Sequence, residues 1–333
     1  GVIARAKVLA DLDVASTRAP QDGRATLALR GRPTDLRIST TPTVDGESAV
    51  LRILTRQGVD FTLASLGFDA GVMAEFEAQL RRPFGLILVT GPTGSGKTTT
   101  LYAAISEVNV GRDNFLTIED PVEYELNDVE QIPVNEKQGL TFARGLRSIL
   151  RHDPDKIMVG EIRDRETAEM AIQAALTGHT VYSTLHANNS FDVFSRLAYM
   201  DIDPYSLTSA LNGIWAQRLL RTNCPHCAEA YTPDATEFAL VGLGAQAAAG
   251  FVFRRGRGCG DCRGTGFKGR KAIAEIMALT DRLREMIAEK ASIVVIKEEA
   301  RKGGTRFLRD VALDMARAGQ TTLAEVARVT LAS

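Results

Sequence analysis

The clearest chemistry in this chain lies in a glycine-rich loop that fits the pattern G-x-x-x-x-G-K-[ST]. The loop consists of Gly91, Pro92, Thr93, Gly94, Ser95, Gly96, Lys97 and Thr98. Such glycines let the backbone turn several N–H groups onto phosphate oxygens, Lys97 would bridge the terminal phosphates, and the Thr98 hydroxyl would ligate Mg²⁺. The alternative is a glycine-rich turn with a chance lysine. We predict a site for ATP with Mg²⁺.

The segments on both sides of this loop are those that a phosphate site needs. Residues 85–90 are apolar and bounded by Pro83 and Gly91, which predicts a buried strand, and the run from Thr99 to Ile105 predicts the first turns of a helix. The N-terminus of that helix would add its partial positive charge, and Thr99 is expected beside the nucleotide. The loop therefore has the strand–loop–helix context that its chemistry requires.

Two glutamates follow predicted strands and could complete the site. The strand at 114–119 ends in Glu119, and the strand at 156–160 ends before Glu161. Strand ends of a parallel sheet face the phosphate loop, so both carboxylates are candidates for holding Mg²⁺ or orienting water. Many P-loop enzymes carry an aspartate where this chain has Gly160, so Glu161 itself is expected to meet the Mg²⁺ shell, through water. The alternative is that both are surface charges.

Histidines and arginines supply further candidates. His179 precedes and His186 follows the predicted strand 180–185, and His186 is placed to sense the γ-phosphate. Transition-state charge calls for arginine fingers. The candidates are Arg37 and Arg52 on N-terminal strands and Arg147, Arg151 and Arg163 near the third core strand. The alternatives are structural histidines and surface ion pairs.

All four cysteines form two C-x-x-C pairs, Cys224 with Cys227 and Cys259 with Cys262. Paired C-x-x-C motifs next to glycines are typical of a structural Zn²⁺ site with four thiolate ligands. The span between the pairs is longer than in a compact zinc ribbon. The alternative is two independent redox or buried cysteine pairs.

Bulk composition indicates a globular protein with several domains. The chain has 333 residues, 44% hydrophobic and 24% charged, with a net charge of −1, so no global field attracts nucleic acid. No apolar run reaches the roughly 18 residues that a membrane span needs, and no signal peptide is evident. One local stretch, residues 254–271, is basic and could contact phosphate head groups, nucleic acid or an acidic partner, or be a solvated face.

Alternating strands and helices predict an α/β fold with a parallel sheet, that of a RecA-like P-loop NTPase core. The predicted core strands are 86–90, 114–119, 156–160 and 180–185, and the predicted helices include 142–151, 165–176, 189–200 and 205–220. Three short helices are expected after Thr280, the last with a capping box between Thr322 and Glu325. The predicted domains are an N-terminal α+β (PAS-like) domain 1–60, a linker and helix 61–83, the ATPase core 84–221, a zinc-binding insert 222–272 and a helical C-terminal part 273–333.

The motifs taken together resemble those of the secretion and pilus-assembly ATPases, the motors of type II secretion and type IV pilus assembly. The match comprises the phosphate loop, an aspartate-rich box at 116–124, an atypical second Walker motif at 150–164 in which Gly160-Glu161 is normal, and a histidine box at 177–188. The cysteine pairs resemble those of the assembly and type II branches and are absent from the retraction branch. Residues 189–195 are bulkier than is usual in the family, and residues 303–305 are less apolar than the corresponding family segment.

The resemblance implies a cytoplasmic ATPase, peripheral to the inner membrane, that acts as a homo-hexameric ring on inner-membrane platform proteins. It implies that Arg37 and Arg52 approach the nucleotide when the N-terminal domain closes, and that Arg147, Arg151, Arg163 and Arg196 are functional. Glu119 is favoured as the base that activates water and Glu161 for the Mg²⁺ shell, but their assignment stays open. The family's most N-terminal domain is expected to precede Gly1.

The sequence leaves two rival functions open. A nucleic-acid motor, such as a helicase or DNA-transfer ATPase, is favoured only by the basic stretch, and no nucleic-acid module is recognisable. A non-hydrolysing nucleotide switch is disfavoured by the two strand-end glutamates and the arginine set. Contact with acidic phospholipid remains open for the same basic stretch.

Overall fold

The computed structural model describes residues 1–29, 32–54, 62–109, 111–244 and 250–330. The chain divides into two compact units, Gly1–Asp60 and Phe61–Ser333, and each is described by itself.

The first unit is a three-stranded antiparallel sheet with one helix. Its elements are α1 Val2–Leu9, β1 Gln21–Leu29, β2 Arg32–Thr43 and β3 Gly46–Leu54, in the order β1-β2-β3. A small core that includes Ala6, Leu36 and Ile38 lies between α1 and the sheet. The chain turns between β2 and β3 at Val44 and Asp45, and Asp22 and Gly23 lie within β1. Arg37 on β2 lies opposite Arg52 on β3.

The second unit is built on a seven-stranded sheet in the order β12-β9-β4-β8-β7-β5-β6. All neighbouring strands are parallel except β12, which runs antiparallel to β9. The strands of this sheet are β4 Gly85–Thr90, β5 Phe115–Glu119, β6 Glu130–Pro133, β7 Lys156–Val159, β8 Thr180–Leu185, β9 Leu211–Asn223 and β12 Phe267–Ala278. The four predicted core strands are thereby confirmed.

Helices cover the sheet and extend beyond it. They are α2 Ala70–Leu80, α3 Lys97–Val108, α4 Phe142–Ile149, α5 Arg165–Leu176, α6 Asp192–Tyr199, α7 Pro204–Ala210, α8 Ala235–Leu240, α9 Asp281–Ala288, α10 Ile293–Lys302, α11 Leu308–Arg317 and α12 Leu323–Thr330. β4 and β8 are buried along their whole length, as their uninterrupted apolar runs predict for central parallel strands. This arrangement confirms the predicted α/β core and brings the ends of β4, β7 and β8 to one edge.

The predicted helix at 205–220 is wrong. The structure has only the short helix α7, capped by Asp203 with Pro204 in its first turn, and then β9 from Leu211. β9 lies between β4 and β12 and is buried on both faces. A strand of this kind has no period-2 alternation, so its apolar run cannot be distinguished from a buried helix by periodicity.

The cysteine-bearing insert leaves and re-enters the sheet along β9 and β12. Both ends predicted for it, at 222 and 272, fall inside these two strands. The insert contains α8 and a small pair of strands, β10 Ala228–Ala230 and β11 Arg254–Gly256. The division into domains within the second unit remains a proposal.

The C-terminal region has four helices in the part of the chain that is described, α9 to α12, where three were predicted. The Thr322 hydroxyl accepts from the N–H of Glu325, as predicted. The Glu325 carboxylate does not complete the capping box. It accepts instead from the backbone and guanidinium of Arg221 on β9 and from Arg328, and so ties α12 to the sheet.

Replacing Glu325 with Gln is expected to destabilise the protein in a pH-dependent way. Burial would raise the pKa of Glu325, but Arg328 and Arg221 outweigh it and lower the pKa to about 2. Because the folded pKa lies below the unfolded one, this stabilisation is present above about pH 4.5 and is lost as the pH falls toward 2. We expect E325Q to cost on the order of 2–3 kcal/mol at pH 7 and less at pH 3.5.

Urea unfolding at both pH values checks this expectation. The exposed pair of Arg282 and Glu285 on α9 provides a matched control, and Glu285→Gln should change stability by less than about 0.5 kcal/mol. An E325Q deficit of equal size at both pH values would contradict the assignment.

Among the described residues, no helix combines the length and the apolar character needed to cross a bilayer.

Candidate functional site

The predicted phosphate loop connects β4 to α3, and its glycines shape it. Gly91, Gly94 and Gly96 have φ values of 146°, 77° and 91°, which glycine adopts without strain. A Cβ on Gly91 would lie 2.5 Å from the carbonyl oxygen of Gln217, so β9 passes too close for any other residue. The Lys97 ammonium donates to the carbonyl oxygens of Gly91 at 3.0 Å and Pro92 at 3.2 Å. The ammonium therefore folds back over the loop that would surround the phosphates.

The start of α3 is suited to bind an anion. Gly96 is its N-cap, and no side chain caps the helix, so the first-turn N–H groups are left for a ligand. Thr98 and Thr99 are exposed, as are Pro92, Thr93 and Gly94. The Ser95 hydroxyl is buried without a hydrogen-bond partner among the described residues. These features fit the phosphates and Mg²⁺ that the sequence predicts.

Three of the predicted residues meet at the edge of the sheet next to Lys97. Glu161, which follows β7, accepts a hydrogen bond from Arg163 at 2.6 Å, and its carboxylate lies 3.4 Å from Nε2 of His186. Arg163 also contacts Asp120 at 3.3 Å. A Cβ on Gly160 would lie 3.2 Å from the carbonyl oxygen of Ile118, which explains why no aspartate precedes Glu161. The phosphate loop and these charged side chains therefore form one site.

The ionisable side chains of this site shift one another's pKa values. Burial would raise the pKa of Glu161, but Arg163, with smaller effects from His186 and Lys97, keeps it below its usual value. Burial lowers the pKa of Lys97, opposed by Glu161 and reinforced by Arg218. Burial and the charge of Lys97 lower the pKa of His186. At neutral pH the site therefore holds an ionised Glu161 and a neutral His186, which can donate Nε2–H.

Glu119, the favoured base, is not free to activate water in this structure. Its side chain is 3% exposed. It accepts hydrogen bonds from Tyr102, from Thr117 at 2.7 Å and from Gln131 at 3.0 Å. Burial and the neighbouring carboxylate raise the pKa of Tyr102, so the phenol stays a donor. This geometry supports Glu161 over Glu119 as the group that acts on water, and the assignment stays a prediction.

His179 does not reach the phosphate loop of its own chain, and its role in nucleotide binding stays a prediction. It precedes β8, whereas His186 follows it, so the two histidines lie at opposite edges of the sheet. His179 Nδ1 lies 3.0 Å from the carbonyl oxygen of Ala174, and its own carbonyl accepts from Gly85. It lines a polar cleft of about 650 Å³ at the far edge.

The remaining predicted arginines have local partners. Arg147 pairs with Glu166 at 2.7 Å, and Arg151 donates to the carbonyl of Arg147 at 2.9 Å. Arg196 lies over the ring of Tyr199. All three are exposed. Arg37 and Arg52 belong to the first unit, so their approach to the nucleotide stays a prediction, as do the roles of the other three.

Gln217 on β9 is a residue of the site that sequence reasoning missed. Its amide donates to the carbonyl of Ser95 at 2.6 Å and accepts from Thr100 at 2.8 Å and from the Trp215 indole at 3.0 Å. Gln217 thus fixes the loop from the adjacent strand. The signal in the sequence was a polar residue inside the mostly apolar segment 211–220, which also contains Asn212 and Arg218, and the helix prediction obscured it.

The four predicted cysteines meet in one cluster. Their sulfur atoms all lie within 4.8 Å of one another. The Cys224–Cys259, Cys227–Cys262 and Cys259–Cys262 sulfur distances are 3.8, 3.9 and 3.7 Å. A tetrahedron with Zn–S bonds of about 2.3 Å has edges of about 3.8 Å. The cluster therefore has the donor type, number and spacing that a tetrahedral metal ion takes.

The backbone around the cluster favours a thiolate. The N–H groups of Cys259 and Gly266 donate to Sγ of Cys262 at 3.1 and 3.2 Å. These bonds lower the pKa of Cys262 to about 6, whereas burial raises the pKa of Cys227 to about 12. A Cβ on Gly256 would lie 2.0 Å from the carbonyl oxygen of Gly266, so glycine is required where the two segments cross. All four thiols are free of disulfides.

Comparisons with known proteins show which family this chain resembles. The family model described as "Type II/IV secretion system protein" matches residues 1–328. "Type II secretion system protein E" of Pseudomonas aeruginosa is 47% identical over 329 residues, covering 99% of this chain and 65% of the relative. "Type II secretion system ATPase E" of Vibrio cholerae is 45% identical, with the same coverage of both chains.

A solved structure supports the same relationship. The pilus retraction motor PilT with bound ADP is 28% identical, with a TM-score of 0.68, and the match covers 94% of this chain and 78% of that chain. The chain spans 65% of the length of the curated relatives named above. The extent of the family match and the identity to these relatives show that this chain belongs to the type II/IV secretion system protein family.

Proposed function

We propose that this chain is a Mg²⁺-dependent ATPase that hydrolyses ATP to ADP and phosphate and powers type II protein secretion. One observation carries the proposal: Lys97, Glu161, Arg163 and His186 meet beside a fully formed phosphate loop. The relatives' names supply the process, since "Type II secretion system ATPase E" of V. cholerae is 45% identical. The sequence left type IV pilus assembly open, and these relatives favour secretion.

Each residue of the site has a proposed role in ATP hydrolysis. The loop N–H groups and Lys97 would bind the β- and γ-phosphates. The Thr98 hydroxyl and Glu161 would hold Mg²⁺, which would supply positive charge at the γ-phosphate. Glu161 is ionised and its carboxylate lies 3.4 Å from Nε2 of His186, so it can orient the attacking water. The Nε2–H of His186 is available to a γ-phosphate oxygen once it leaves Glu161. The hydrogen bond from Arg163 holds the Glu161 carboxylate in position.

Catalysis would be completed by arginines outside this group. Arg37 and Arg52 face each other on β2 and β3, so one rigid sheet could deliver both to a nucleotide. Because exposed arginines such as Arg147 and Arg196 could complete the site of a neighbouring subunit, we propose a homo-hexameric ring whose subunits open and close with the nucleotide. The proposed location is cytoplasmic, against inner-membrane platform proteins.

The cysteine cluster is proposed to hold one structural Zn²⁺. All four ligand positions are filled by thiols, so no coordination site is left for catalysis. The metal would fix the insert, where α8 and the β10–β11 pair have little core of their own. Cofactors of the proposed enzyme are therefore ATP, Mg²⁺ and Zn²⁺.

The basic stretch beside this cluster is proposed to contact acidic phospholipid. Arg254, Arg255 and Arg257 are exposed. Arg263, Lys268 and Arg270 are exposed as well, and Asp261 pairs with Lys268 and His226. A cationic surface next to a rigid metal knuckle suits lipid head groups. The rival nucleic-acid motor has no support from the comparisons, whose named relatives are secretion and pilus proteins.

Steady-state ATP hydrolysis by the protein alone, with DNA and with anionic vesicles distinguishes a secretion ATPase from a nucleic-acid motor. We expect vesicles containing about one third anionic lipid to raise the rate several-fold and DNA to leave it unchanged. Neutral vesicles are the control for surface area. Stimulation by DNA alone would overturn the secretion assignment and leave the ATPase site standing.

A further inference from the structure

Strand β9, which lies beside the phosphate loop, carries a buried cation for which the described residues provide no ion-pair partner. Arg218 follows Gln217 on β9, and only 5% of it is exposed. Its guanidinium donates to the carbonyl oxygens of Gln217, at 3.4 Å, and of Asn188. A buried guanidinium ordinarily has a carboxylate or phosphate partner, because burying a charge without one is costly.

The nearest acids do not supply that partner. Glu275 on β12 and Asp192 on α6 act on Arg218 at longer range, and their charges only partly offset the burial that lowers its pKa. The oxygens of Glu275 already accept from the N–H and hydroxyl of Ser190 and from the N–H of Leu308. Among the residues that the structure describes, no carboxylate lies within ion-pair distance of Arg218.

The position of Arg218 links it to the phosphate loop. The Gln217 carbonyl that it contacts is the atom that leaves no room for a side chain on Gly91. Its other acceptor, Asn188, lies two residues after His186. Its charge also helps to lower the pKa of Lys97. Two cations therefore act on each other at the place where the loop begins. Lys97 is partly balanced by Glu161, whereas Arg218 has no carboxylate within ion-pair distance among the described residues.

We propose that Arg218 is a second phosphate-binding cation of this site. Its charge is balanced only when the polyphosphate of a nucleotide is bound. This inference rests on the proposed function, since it assumes that the loop binds a nucleotide. A buried arginine at the back of the loop attracts the phosphates in a low-dielectric environment, where a charge acts strongly. Its bond to Asn188 also holds the segment that follows His186, so phosphate binding and the position of His186 are coupled.

Direct titration of the full zinc-loaded chain with ADP and with inorganic pyrophosphate tests the proposal. Arg218→Gln keeps a donor toward Asn188 but removes the charge, and we expect its affinity for both ligands to fall about tenfold or more. Arg218→Lys keeps the charge, and its affinities should stay within about threefold of wild type. Arg221→Gln is the matched control on the same strand, since Arg221 pairs with Glu325; it should lower the melting temperature and leave both affinities unchanged.

The outcomes separate this inference from the function on which it rests. If wild-type protein binds neither ligand, the proposed function fails. If wild type binds both and Arg218→Gln binds them equally well, only the role of Arg218 is overturned. A folded Arg218→Lys with a tenfold loss would also overturn it, and this variant decides the matter if Arg218→Gln does not fold.

Discussion

Lys97→Ala is expected to reduce ATP hydrolysis at least about 100-fold while the fold stays intact. The ammonium donates only to loop carbonyl oxygens in this structure, so no core packing depends on it. Its loss removes the charge that would bridge the transferring phosphoryl group. Phosphate release and thermal unfolding of the same preparation measure the two effects.

A matched lysine shows whether the loss is specific. Lys137 is exposed, outside the phosphate loop, and Lys137→Ala should hydrolyse ATP at the wild-type rate. A Lys97→Ala protein that keeps full activity would refute the proposed site, and one that unfolds would show that the lysine is structural.

Cys259→Ser is expected to release the metal and destabilise the insert. The sulfur atom of Cys259 lies 3.8 Å from that of Cys224 and 3.7 Å from that of Cys262, and within 4.8 Å of that of Cys227, so it is one corner of the tetrahedron. Without it, three thiolates bind Zn²⁺ far more weakly, and the insert loses its main cross-link. Metal analysis should fall from about one zinc per chain to near zero, and proteolysis should cut within 224–270.

His226 provides the control for this cluster. It lies between Cys224 and Cys227 in sequence, but its Nε2 contacts Asp261 at 3.0 Å, and it is outside the four-sulfur group. His226→Ala should keep its zinc. Equal metal content in Cys259→Ser and wild type would refute the zinc site.

The phosphate loop and the cysteine cluster could be predicted from the sequence because local spacing determines each of them. Gly91, Gly96 and Lys97 act within one loop, and two C-x-x-C pairs can offer four thiols wherever the fold joins them. The strand ends before Glu161 and His186 were equally predictable, since buried parallel strands give continuous apolar runs.

The rest depended on contacts between distant segments. Glu119 and Glu161 look alike in sequence, and only Tyr102, Thr117 and Gln131 show that the first is locked in place. β9 was predicted as a helix because a strand that is buried on both faces shows no alternation of polar and apolar residues. Gln217 and Arg218, which lie on β9, were missed for the same reason. His179 was predicted from its motif, and the direction of β8 places it at the edge of the sheet opposite His186.

Phosphate release from ATP by the wild-type chain, with and without Mg²⁺ and against the Lys97→Ala baseline, tests the central claim most directly. We predict steady turnover that requires Mg²⁺ and disappears in the Lys97→Ala protein. Wild-type release that is no faster than this baseline, in protein shown to be folded and zinc-loaded, would contradict the assignment of an ATPase.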